Sequence, residues 1–325
     1  MAHIKRKTVV SIGRESTYKT ESTQLVAMGI QSLTVDIQKT TIKNEQSYGR
    51  IEGVRDSKIG SMSAQVTLTG IVEAPFWGQF QRAALGTITT TDDDPEAGAN
   101  THDFSVLNSN QHPAYSILFK DDVHNKAILG ARLVSLKTSI VAGEYVTYTA
   151  VFMGNAPVTT TTTPGFSDGH LFCAAEAAVR LAATGASFTG GGIPLTTLDV
   201  DIVKNTEVHN AFGSVDPNNI INKQFGVTGT MSLLFENEDQ YTRFMDHAKL
   251  GLEIVVTGDT NLAGLSTPPS FKYNIYQLAF DGWNNNSGND EKVEQSITFA
   301  AEYEEGTAEA MITTQLINDE AGSVY

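Results

Sequence analysis

The sequence predicts a mainly β protein built as two tandem β-sandwich domains, each with one flanking α-helix. Three observations carry this reading. Short stretches alternate apolar and polar residues along most of the chain, each half holds one amphipathic helical segment, and an internal repeat relates the halves.

The repeat comes first, because self-similarity at a fixed offset marks a duplicated unit. Residues 33–39 read Leu-Thr-Val-Asp-Ile-Gln-Lys and residues 198–204 read Leu-Asp-Val-Asp-Ile-Val-Lys. Five of seven positions agree at an offset of 165: Leu33/Leu198, Val35/Val200, Asp36/Asp201, Ile37/Ile202 and Lys39/Lys204. Leu33, Val35 and Ile37 alternate with Thr34, Asp36 and Gln38, the period of a half-buried strand. A second strand follows in each half, Met62–Val72 and Thr228–Phe235. Next comes a helix. Glu73–Leu85 sets Phe76, Phe80 and Ala84 on one face, Pro75 suits its first turn and Gly86 its stop. Glu238–Leu250 repeats the pattern with Tyr241, Phe244, Met245 and Ala248, and Gly251 is its expected stop.

Tyr115–Phe119, Ala131–Ile140 and Tyr145–Met153 read as the remaining strands of the first half. Phe271–Phe280 and Val293–Tyr303 hold similar places in the second, joined by the polar loop 282–289. Asn155–Gly165, with five consecutive Thr residues at 159–163, is the expected linker, and its β-branched and Pro content predicts an extended path. The expected domains are therefore 1–160, with an N-terminal arm, and 161–325, with an acidic C-terminal tail. Leu171–Leu181 is Ala-rich and reads as a short helix or the second half's opening arm.

Composition narrows the function. With 325 residues, 40% hydrophobic and 18% charged, the chain can bury a core. One Cys permits no intrachain disulfide and no Cys-based zinc site. The start lacks a secretory pattern, and no apolar run of 18 residues predicts membrane insertion. The net charge of −15 opposes ordinary nucleic-acid binding. It is uneven: residues 1–160 hold 15 basic and 15 acidic side chains, and residues 161–325 hold 7 and 22.

Motifs for chemistry are absent. There is no phosphate-binding loop, dinucleotide fingerprint, His-Glu-x-x-His or nucleophile elbow. No two of the seven His residues share one element at ligand spacing. The acidic run Asp92–Asp94 offers carboxylates for calcium but lacks the EF-hand spacing; a solvated loop is the other reading. Glu302, Glu304 and Glu305 read as an exposed strand end rather than an acid–base pair, and Cys173 as a small core residue. No enzyme activity and no cofactor are expected.

The order of strands, the amphipathic helix ending in Leu-Gly and the closing hairpin resemble the major tail tube proteins of long-tailed (siphovirus-type) bacteriophages, in a version with a duplicated tube domain. The opening Val9-Val10-Ser11-Ile12-Gly13-Arg14-Glu15-Ser16-Thr17-Tyr18-Lys19-Thr20 also looks like the start of such proteins, with Lys19 where the family has Gly. The resemblance implies a structural virion protein that assembles in the host cytoplasm. Three two-domain chains would form a pseudo-hexameric ring, their inner sheets closing into a β-barrel, and rings would stack into the tail tube. The implied partners are further copies of the chain, the tail terminator, tape-measure and distal tail proteins, and genomic DNA passing through the lumen without specific binding.

With four inner strands per domain, a ring has about 24 strands, giving a backbone diameter of roughly 48 Å at ~4.8 Å spacing and ~40° tilt. A duplex fits. Such a lumen must not neutralise phosphates, which assigns Asp36, Gln38, Asp199 and Asp201 to its wall; a subunit contact is the alternative. The basic start (Lys5, Arg6, Lys7, Arg14) against Glu302, Glu304 and Glu305 suggests contacts between stacked rings, screened by salt. A surface or secreted β-sandwich binding module for carbohydrate or adhesion is the rival function; the missing signal and few Trp residues weigh against it.

Overall fold

The computed structural model describes residues 5–94, 99–165, 169–189, 191–262, 267–286, 292–305, 310–322 and 324–325; side chains of 5, 92–94 and 286 lie outside the description. Strands dominate, and every pairing between described strands is antiparallel. Among the described residues, no helix is long and apolar enough to cross a membrane.

Eight strands form a continuous wall. In chain order they are β1 (Ser32–Asn44), β2 (Asp56–Ile71), β3 (Asn125–Val141), β4 (Thr147–Gly154), β5 (Leu195–Val203), β6 (Gly226–Leu234), β7 (Ser270–Asn286) and β8 (Glu294–Glu302). Their order across the wall is β1–β2–β4–β3–β5–β6–β8–β7. Each half contributes four strands in the same sequence of neighbours.

The ladders also share their registers. Val35 faces Val66 as Val200 faces Gly229. The β3–β4 ladder shifts between Leu133 and Ser135, and the β7–β8 ladder shifts at the matching place, between Phe280 and Gly282. A bulge adds one residue and bends the strand.

β3 and β7 have 17 residues each and run through two layers. Their second halves lie in the wall. Their first halves lie in an outer layer, where β3 joins Tyr115–Lys120 and Val158–Thr159, and β7 joins Leu250–Thr257 and Ile312–Asn318. The apolar faces of wall and outer layer meet in a core that includes Val66, Leu68, Ile117, Leu136, Val200, Ile254 and Ile275. This is the expected sandwich.

Helix α1 (Ala74–Leu85) matches its expected span. Pro75 lies in its first turn, and Gly86 ends it with φ 103°, a conformation that favours glycine. Phe76, Trp77 and Phe80 are fully buried, and their rings meet Tyr148 and Phe152 of β4 and Phe271 of β7. Each such ring stabilises by about 2–3 kcal/mol through area removed from water. The second helix differs from expectation. α2 (Asp239–Met245) has only seven residues, and Leu250 and Gly251 begin a strand instead of ending a helix. His247, at φ 49°, turns the chain between them.

Three other segments correct the sequence reading. The polar stretch after Phe280 continues as strand to Asn286, because one face of the wall tolerates Asn. Leu171–Leu181 forms a short 3-10 turn, Ala174–Glu176, and then a strand from Ala177 that pairs with Leu250–Thr257. The acidic C-terminal stretch is not a solvated tail throughout. Ile312–Asn318 pairs with β7 on one side and, on the other, with Ala99–Val106 from the first half. Tyr325 is fully buried beneath α1; its hydroxyl donates to the Pro75 carbonyl at 2.8 Å, and its ring fills the space left open by Gly78.

Candidate assembly interface

The two halves join inside the wall along β3 and β5. Thr197 faces Val141, Asp199 faces Ser139, Asp201 faces Lys137 and Val203 faces Ser135. At this junction Leu198, Val200 and Ile202 are 1%, 3% and 1% exposed.

The matching edges at the two ends of the wall have no ladder partner among the described residues: Thr34–Gln38 of β1 and the outer edge of Gly282–Asn286 of β7. Ile37, the counterpart of Ile202, is 51% exposed. Trp283, the counterpart of Leu136, lies beside the opposite edge; its ring packs 4.9 Å from Tyr241 of α2. Unpaired strand edges with apolar flanks invite further strands.

The wall face opposite the core is polar. Asp36 lies there, exposed, and Gln38 donates weakly to Gln65 at 3.5 Å. Asp199 and Asp201 lie together in a shallow depression lined also by Lys137, Thr228, Thr230, Asp281 and Thr298. Lys137 pairs with Asp199 at 2.9 Å. Burial raises the Asp201 pKa; Lys137 opposes this and Asp199 adds to it. The four predicted wall residues thus share one face, in two groups about four strand spacings, or ~19 Å, apart.

Of the predicted ring-to-ring residues, Arg6 and Lys7 lie toward one end of the wall strands and Glu302 toward the other. Lys5–Lys7 form a 3-10 turn. Arg6 lines a depression beside Ser32, Leu33 and Val35, where β1 begins, and Lys7 pairs with Asp122 at 3.5 Å. Arg14 ends a strand, Val9–Arg14, that pairs with Tyr115–Lys120 and Val26–Met28. Glu302 ends β8 at the other end of the wall and holds Lys249 at 2.6 Å, a hydrogen bond that lowers its pKa. Glu304 is half-buried and Glu305 exposed. The calcium reading of Asp92–Asp94 concerns side chains outside the described residues.

The β1–β2 hairpin projects past the wall. Beyond Lys39 and Met62 its strands pair with each other as far as Asn44 and Asp56, with no further ladder among the described residues. Ile42, Tyr48, Ile51, Val54 and Ile59 on this finger are exposed. A lone exposed Leu needs no explanation, but five apolar residues on one projection mark an interaction surface.

A buried polar contact locks the two halves. Lys204, 2% exposed, donates through Nζ to the Ala83 carbonyl at 2.6 Å and to His112 Nδ1 at 2.9 Å. His112 Nε2 lies 3.0 Å from the Leu107 carbonyl, which can only accept. The ring is therefore neutral, with its proton on Nε2. Burial first, and Lys204 second, lower its pKa to about 4. Elsewhere, His170, Glu176 and Asp259 bring three possible metal ligands together, but Glu176 already accepts from the Cys173 and Asp259 backbone N–H groups.

Sequence reasoning singled out the charged wall residues but not Ile37, Trp283 or the finger as contact surface. The signal for Ile37 was present in the repeat: one copy of an apolar position can be buried inside the chain only if a strand covers it.

A family model described as phage tail tube protein matches residues 5–301. No curated protein gives a significant match.

Proposed function

Because the chain belongs to the phage tail tube protein family, we propose that it closes into rings by continuing its own wall from copy to copy, and that the rings stack into a tube through which genomic DNA passes. One observation carries the reading: the internal β3–β5 junction has a matching pair of edges left open at the ends of the wall. Transferring the internal register gives Val35 opposite Asn285, Asp36 opposite Asn284 and Ile37 opposite Trp283 of the next copy. The repeat and the shared registers support two copies of one tube unit, divided near residue 160. Three chains of eight wall strands make a closed barrel of about 24, with a lumen somewhat under ~40 Å after side chains.

In this arrangement the polar face of the wall lines the lumen. Asp36, Asp199 and Asp201 against Lys137 leave it mildly acidic, so a duplex gains nothing by adhering. The role is structural, not enzymatic, and the site of action is the virion tail after assembly in the host cytoplasm. The finger, and the Arg6–Lys7 end of one ring against Glu302–Glu305 of the next, supply contacts along the tube. Terminator, tape-measure and distal tail proteins cap or fill it.

Electron microscopy of the purified chain at high concentration tests the reading. Rings or tubes with threefold, nearly sixfold end views are expected. A monodisperse monomer that binds glycans would favour a β-sandwich binding module instead.

A further inference from the structure

Lys39 and Lys204 occupy the same last position of the repeated heptad. In the second half the lysine is carried across the internal junction. The Lys204 backbone N–H donates to the Val134 carbonyl at the β3 bulge, and its Nζ reaches Ala83 in the last turn of α1. The last carbonyls of a helix lack internal partners, and a cation is favoured there by the helix dipole. Lys204 of one half thus caps the helix of the other.

Lys39 is delivered by the same strand pattern, yet its side chain is exposed. The place it matches lies on the open edge of β7. There Asp281 sits at the bulge corresponding to Val134. α2 packs beside it through Tyr241 and Trp283. α2 follows the end of β6 as α1 follows the end of β2. The C-terminal turn of α2 is followed by Asp246, which is exposed, and by Lys249, which pairs with Glu302.

We propose that Lys39 docks against the C-terminal turn of α2 in the adjacent copy, facing Asp246; the Thr242, Arg243 and Phe244 carbonyls there already accept backbone N–H groups, so Asp246 supplies the acceptor. The partner is a second copy of this chain, because the matching lysine, Lys204, already crosses the internal junction to the end of a helix. This rests on the ring closure proposed above, and it adds a charged lock at each seam between copies. It also explains an asymmetry of burial: α1 is buried on nearly every residue, whereas Tyr241 and Met245 of α2 are exposed.

Zero-length carbodiimide coupling of assembled rings, with mixed light and heavy isotope-labelled chains, tests it by mass spectrometry. An intermolecular Lys39–Asp246 or Lys39–Glu302 link is expected. Lys39→Met keeps most of the aliphatic stem and should raise the concentration needed for rings about 5- to 30-fold, with Lys39→Arg close to the parent. Chain unfolding should not change. Rings that form at the parent concentration in Lys39→Met, with Lys39 coupled to neither carboxylate, overturn the proposal while ring closure stands. Failure of the unaltered chain to form rings overturns both.

Discussion

Ile37 and Ile202 hold the same place in two copies of one heptad, but the first is half exposed and the second fully covered. Their own strands do not differ in pattern. The difference lies in the neighbour: β5 has β3 beside it, and the matching edge of β1 has no ladder partner among the described residues. The internal junction is further secured by elements that the open seam lacks. The hairpin Gly86–Asp94/Ala99–Val106 reaches Ile312–Asn318, Tyr325 anchors beneath α1, and Lys204 meets His112. One seam thus serves the fold of the chain, and the open edges are the ones proposed to join copies.

The largest expected effect falls on the internal seam. Tyr325→Ala should cost about 3–5 kcal/mol of chain stability, because it empties a fully buried ring site and strips a hydroxyl shared by Pro75 and Asn318. Urea unfolding reads this. A cost near zero would mean that the C-terminal stretch is not part of the clasp.

The paired isoleucines sharpen the contrast. Ile202→Ala should lose about 2–5 kcal/mol in the same measurement, and Ile37→Ala within about 0.5 kcal/mol. Ile37→Asp should leave the chain folded and abolish ring formation. Equal unfolding costs at the two positions would break the comparison.

Acid should loosen the internal seam. The folded-state pKa of His112 is depressed from 6.5 to about 4, so its contribution is full above pH 6.5 and is lost as pH falls through 4. The expected loss between pH 7 and pH 4 is about 3 kcal/mol. His112→Gln should flatten that slope; an unchanged slope would place the titration elsewhere.

The smallest effect concerns the wall face. Asp36→Lys with Asp201→Lys should assemble near normally yet slow DNA ejection in a complemented phage, since the reversed charges bind phosphate. Normal assembly with normal ejection would move these residues off the lumen.

Much of the fold was legible in alternation. The period of two located all eight wall strands, although β1, β2, β3 and β7 each run about five or six residues further at one end, and Pro75 with Gly86 bounded α1. The same Leu-Gly pair misled at 250–251, because the turn at Asp246 and His247 ends α2 first and releases Leu250 into a strand. The Asn-rich end of β7 resembled a loop because its outward face needs no apolar residue. Ile312–Asn318 has a readable alternation, with Ile312, Thr314 and Leu316 buried, but the surrounding acids suggested a tail. Its pairing with Ala99–Val106 spans more than 200 residues, and no local pattern encodes such a partner. The candidate interface was legible only in part: charge drew attention to Asp36 and Asp201, whereas Ile37 became informative once its buried twin was placed.

Disulfide trapping of Asp36→Cys with Asn284→Cys, in a Cys173→Ala background, tests the central claim most directly. Within one chain these positions are seven strand spacings apart across the wall, about 34 Å, far beyond the ~7 Å limit for Cα atoms of a disulfide. The account predicts oxidised, covalently closed trimers that collapse to single chains on reduction, with little product from Asp36→Cys paired with the displaced Gly282→Cys. Single chains only, or equal trapping at the displaced pair, would contradict it.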